Sequence, residues 1–132
     1  FAEIPVTMNF DTLIRNQTKQ EMGIQNAKNF SVTSFQLVID SLKDDDNFGN
    51  FETINVYIES GTQPKTLVAN LIGNPSSKNG RVTIPILENR PELRGFLSSS
   101  AFKFILEGKA RNPTTIVLNV DAIISYSLKV GR

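Results

Sequence analysis

TIVLNVDAIISYSLKV, residues Thr115–Val130, decides the fold. Every even position in it is apolar: Ile116, Leu118, Val120, Ala122, Ile124, Tyr126, Leu128 and Val130. The odd positions are polar apart from Val117 and Ile123. A helix returns to one face every three to four residues and a strand every two, so this stretch lays one face on a core and turns the other to water. As one strand at ~3.3 Å per residue it is about 50 Å long, against a usual length of about 5–6 residues. It is therefore expected to twist, bulge or change sheets, with Asp121-Ala122 as the break.

The same alternation recurs upstream. Glu3–Phe10 carries Ile4, Val6, Met8 and Phe10 on one face, with Pro5 on the other as suits an edge strand. In Phe30–Leu42, Phe30 and Val32 share one parity while Phe35, Leu37 and Ile39 share the other. A change of phase inside a strand is what a β-bulge produces, and it is placed near Thr33 or Ser34. Thr53–Ser60, Thr66–Ile72, Arg81–Leu87 (with Pro85 again arguing for an edge) and Ala101–Gly108 complete the set. Between the first two strands, residues 11–29 are polar and aperiodic. They read as a crossover with a short strand or turn of helix near Met22–Ala27, the alternative being a binding loop. Asn89–Leu97 is the one convincing helical turn, with Asn89 as cap, Pro91 in the first turn and Glu92 near the N-terminal end.

Seven strands separated by turn chemistry, with no βαβ alternation, give the fold class. It is all-β, a two-sheet antiparallel β-sandwich, Ig-like or Greek-key, with one short helical turn near residues 90–97. The chain reads as a single domain spanning residues 1–132, and strand order is left open.

Composition narrows function mainly by exclusion. The 132 residues are 39% hydrophobic and 20% charged, as in globular proteins. Fourteen basic against thirteen acidic side chains leave a net charge of +1, which gives no electrostatic reason to expect nucleic acid as a partner. The chain has no His, Cys or Trp. It thus lacks the commonest general base, the thiol nucleophile, thiolate zinc sites and the best stacking platform. No catalytic residues are assigned, and the chain is read as non-enzymatic. Ser98-Ser99-Ser100 offers hydroxyls without a neighbouring base and reads as a linker. No run approaches the ~20 apolar residues of a membrane span.

Two places remain where a ligand fits. Asp44-Asp45-Asp46-Asn47, with Glu52 nearby, is the one cluster of hard oxygen donors, so Asp44, Asp46 and Glu52 are the calcium candidates. An EF-hand register starting at Asp44 puts Gly49 correctly at its sixth position, but Phe48 and Asn55 break the pattern, and a solvated acidic turn is the preferred reading. Asn55 and Tyr57 face outward beside Glu59 and are the surface candidates for a glycan.

The segments FETINVYIES (51–60), LVANLIG (67–73), VTIPILE (82–88), RPELRGFL (90–97), AFKFILEG (101–108) and the long final strand occur in an order that resembles small β-sandwich domains of Bacteroidetes-type cell-envelope lipoproteins. The resemblance covers the last two-thirds of the chain. It implies an exported domain, in the periplasm or on the cell surface, tethered through a lipidated cysteine upstream of Phe1. Because the chain starts at Phe1 rather than Met, removal of an upstream segment is expected. The resulting expectation is an extracytoplasmic interaction or structural module whose partner is a protein or a glycan. The alternative is a ligand-binding module for carbohydrate or calcium.

Overall fold

The computed structural model describes residues 2–39, 47–76, 79–98, 101–111 and 120–132. The described residues form seven strands: β1 (Ala2–Thr7), β2 (Ala27–Ile39), β3 (Phe51–Glu59), β4 (Thr66–Ile72), β5 (Arg81–Thr83), β6 (Ala101–Ala110) and β7 (Val120–Val130). They form two antiparallel sheets, ordered β1-β6-β3-β4 and β5-β2-β7. The all-β sandwich read from alternation is the observed fold. Each connection between these strands, apart from the β3–β4 hairpin, passes from one sheet to the other.

The interior is built from aromatic rings contributed by both layers. Phe35 on β2 meets Phe104 on β6 edge-on at 5.5 Å, and Phe30 stacks on Tyr126 of β7 at 5.3 Å. Phe30, Phe35 and Phe104 have no exposed surface. On β7 the even side chains Ala122, Ile124, Tyr126, Leu128 and Val130 pack inward and are half-buried, because β7 ends its sheet. Burial raises the affinity of the Tyr126 hydroxyl for its proton.

Bulges account for the phase changes. The β2–β7 register slips between Val32 and Ser34, at the predicted bulge, and Val32 and Phe35 are thereby both buried. A second slip, opposite Val56 and Tyr57, lets adjacent Val68 and Ala69 on β4 both enter the core. The break expected at Asp121-Ala122 is absent. These residues pair with Val38 and Leu37 without a slip, because β2 takes up the irregularity instead. The part of the last alternating stretch before Val120 lies outside the described residues.

Two further expectations are corrected, and a third, the turn of helix near Met22–Ala27, is met. β1 ends at Thr7, leaving Met8 exposed, and Phe10 is buried from a helix instead. That helix, α1 (Phe10–Gln17), starts where the Asn9 side chain accepts a hydrogen bond from Thr12 N–H at 3.0 Å. The turn near Met22–Ala27 is a 3-10 turn at Ile24–Asn26. Finally, the helical turn near residues 90–97 is a 3-10 turn at Arg94–Ser98, so Pro91 precedes it. Glu92 accepts from Arg94 N–H at 3.1 Å and also from Phe30 N–H at 2.8 Å, tying this turn to β2.

β5 is an edge strand, as Pro85 suggested, but it is short. After Thr83 the chain leaves one sheet for the other: Ile84 N–H bonds Phe35 O at 2.8 Å, while Ile86 bridges to Ala69 and Leu87 N–H bonds Val68 O at 3.2 Å. Residues 84–87 therefore lace the β2 and β4 sides of the sandwich together.

Candidate functional site

The outer face of the β1-β6-β3-β4 sheet carries both surface candidates. Strand alternation turns Asn55 and Tyr57 to the same side of β3, and the register sets Tyr57 between Ile105 of β6 and Leu67 of β4. Asn55 accepts a hydrogen bond from the Asn70 amide at 2.6 Å. Lys65 Nζ lies 4.3 Å from the centre of the Tyr57 ring and 2.5 Å from Glu107 Oε1. The bond to Glu107, aided by the nearby negative charge, raises the Lys65 pKa. Lys103 sits between Glu3 at 3.1 Å and Glu59 at 3.6 Å, and its hydrogen bond to Glu3 is the main reason its pKa is also raised. Lys109 reaches Glu52 at 3.5 Å.

The charged side chains of this face are engaged with one another. A sugar ring stacking on Tyr57 from the Lys65 side has to displace that ammonium and open its pair with Glu107. Of the calcium candidates, Glu52 faces Lys109, whereas Asp44 and Asp46 lie outside the described residues. Among the described residues no group of three or more His, Cys, Asp or Glu side chains converges.

A shallow hollow of about 310 Å³ opens where β1 passes into α1, lined by Thr7, Met8, Asn9, Phe10, Asp11, Ile24, Leu97 and Ser98. Its acidic group is already engaged. Asp11 accepts from Ile24 N–H at 2.7 Å and from Arg15 Nε at 2.8 Å. The bond from Ile24, followed by that from Arg15, holds the Asp11 carboxyl below its ordinary value of 3.8. A Cβ on Gly23 would stand 2.6 Å from Asp11 Oδ1 and 2.7 Å from an Arg15 nitrogen, so a larger residue here must push those side-chain ends aside.

Because the folded pKa of Asp11 is lowered, its contribution to stability is complete above pH 3.8 and disappears as pH falls through the folded value. Asp11→Asn is expected to lower Tm most at neutral pH, with the gap to the parent closing in acid. A gap that stays constant from pH 7 to pH 2 would contradict this coupling.

A third polar group clasps the loops at one end of the sandwich, and sequence reading missed it. Arg111 Nη1 donates to Gly49 O at 2.9 Å and Phe51 O at 3.1 Å, while Nη2 donates to Asn74 O. Buried Asn74 donates from its amide to Phe48 O at 2.8 Å and Phe51 O at 2.9 Å. Buried Asn47 accepts from Gly49 N–H at 2.8 Å. Among the described residues no buried side-chain nitrogen or oxygen lacks a partner. The clasp ties residues 47–51, which follow the acidic stretch, to Asn74 and Arg111 through backbone carbonyls.

Fold and faces together define an all-β sandwich with an outer sheet laced by ion pairs and a tied-down loop end. No protein-family model, curated protein or solved structure matches the chain.

Proposed function

We propose that this domain is a non-enzymatic, extracytoplasmic interaction or structural module, belonging to a cell-envelope lipoprotein. The observation that carries the non-enzymatic part is the pairing on the outer sheet. Glu3, Glu52, Glu59 and Glu107 each pair with a lysine, so these carboxylates are answered by cations rather than set in the separate environments that acid–base chemistry needs. A surface so cross-linked by ion pairs is suited to rigid presentation, with loops and strand edges meeting a partner. The extracytoplasmic and lipoprotein parts rest on the order of segments from FETINVYIES to the final strand.

Thermal-shift titration with calcium and with a glycan panel tests the reading. A ligand at a hundredfold excess over Kd adds about 2.7 kcal/mol, several degrees of Tm for a domain of this size. The expected result is no shift with either. A saturable rise with calcium would move the function to the Asp44, Asp46 and Glu52 region, and one with a sugar to the Tyr57 face. For the compartment, proteolysis of intact source cells and of spheroplasts should remove the domain before the cytoplasm is breached. Protection until lysis would overturn the extracytoplasmic assignment.

A further inference from the structure

We infer that the edge of β7 left unpaired among the described residues pairs antiparallel with β7 of a second copy of this chain, joining the two β5-β2-β7 sheets into one. This deepens the reading as an interaction module, and rests on it, by naming a partner. The first observation is that the sheet edges differ. β1 carries Pro5, β4 is bridged by Ile86, and β5 is only 3 residues long. These are ways in which sheets blunt their edges. β7 is an 11-residue edge with no proline, and it bears two exposed large apolar side chains, Val120 and Ile123.

Backbone direction allows the pairing. Gly131 N–H donates to Asn26 O at 2.9 Å, so the odd-numbered residues turn their polar groups toward β2. Phe35 O accepts from Ile84 on the β5 side, so its neighbour Gln36, opposite Ile123, faces β7 and gives the same phase. The even residues from Val120 to Val130 consequently direct N–H and C=O groups to the open side, where they form the bonded pairs of a new antiparallel ladder.

The side chains select one register. Ser125 is the midpoint of β7, and a twofold axis through it uses the whole strand. On the outer face it places Asp121 opposite Lys129 of the second copy, and Lys129 opposite its Asp121. Ile123 then meets Ser127, and Ser125 meets itself. On the inner face Val120 meets Val130, Ala122 meets Leu128, and Ile124 meets Tyr126, so the apolar row continues across the junction. Asp121, Ile123 and Lys129 are exposed in the single chain. In-register parallel pairing would instead set like charges side by side. The outer charges thus complement one arrangement and oppose another.

Sedimentation equilibrium on the 132-residue chain tests the inference, with circular dichroism confirming that each variant is folded. The parent should dimerise reversibly. Asp121→Lys alone and Lys129→Asp alone each put like charges opposite one another twice, and each should weaken dimerisation about tenfold or more. Two results distinguish this interface from mere surface charge. The double variant D121K/K129D should recover the dimer, and an equimolar mixture of the two single variants should form a heterodimer, because both charge pairs are then complementary. A parent that stays monomeric at millimolar concentration, or a dimer indifferent to these exchanges, overturns the inference. Either result leaves the broader reading as a module standing, to be judged by the ligand titrations.

Discussion

Phe104→Ala should cost about 3–5 kcal/mol, a large part of the about 5–15 kcal/mol that holds a domain of this kind folded. Phe104 has no exposed surface, and its ring meets Phe35 at 5.5 Å, Phe102 at 5.8 Å and Tyr126 at 6.5 Å. It is therefore the β6 side chain through which both neighbours in the facing sheet, β2 and β7, are held. Removing the ring forfeits its transfer free energy and opens a cavity that strands pinned by ladders on both sides of β6 cannot close. Urea denaturation should show the midpoint falling with little change in slope. Ile72→Ala is the comparison: Ile72 is 73% exposed, and its truncation should stay within about 0.5 kcal/mol. Equal losses in the two variants would mean that the sheets are not packed through Phe104.

Asn74→Ala should cost about 2–3 kcal/mol, more than a typical single hydrogen bond, because the partners are left unpaired in a buried place. The Asn74 amide is what Phe48 O accepts from at 2.8 Å, and it also serves Phe51 O at 2.9 Å. Water reaches this site poorly, since Phe48 and Gly49 are buried alongside it. Hydrogen exchange should also change locally: Gly49 N–H, held by Asn47 Oδ1, should exchange faster in the variant while amides in the middle of β2 do not. A loss below about 0.5 kcal/mol, with exchange unchanged, would show that the clasp does not couple the loops.

The contrast between these two sites explains what sequence could give. Phe102 and Phe104 alternate within their own strand, so their burial is a local statement about a period of two. The Val32–Phe35 phase change likewise announces its bulge. The outward direction of Asn55 and Tyr57 was legible on the same ground. Their partners were not, because Asn70 is set opposite Asn55 by the slipped register between β3 and β4, and Lys65 is brought to Tyr57 by the hairpin turn. Arg111, Asn74 and Glu92 act on backbone groups far along the chain, and no local pattern encodes such pairings.

The missed helix has a different cause. Asn9 as cap, Asp11 in the first turn and Phe10, Leu13 and Ile14 at helical spacing were all present, but Phe10 also continued the parity of Ile4, Val6 and Met8. The usual stop signal was absent as well. The chain leaves the helix through Lys19 and Gln20 at φ 53° and 68°, a left-handed conformation in which glycine is the expected residue.

The two-layer fold depends on β7 lying antiparallel to β2 with its even side chains inward, and proton NMR tests that most directly. Leu37 and Ala122 are partners, as are Phe35 and Ile124, and both are non-hydrogen-bonded pairs whose α-protons lie close together. Strong cross-strand α-proton contacts for these two pairs, together with contacts between the Phe104 and Tyr126 rings, are the predicted result. Sequential helical contacts through residues 120–130, or α-proton contacts displaced by one residue, would contradict the two-layer fold and the faces derived from it.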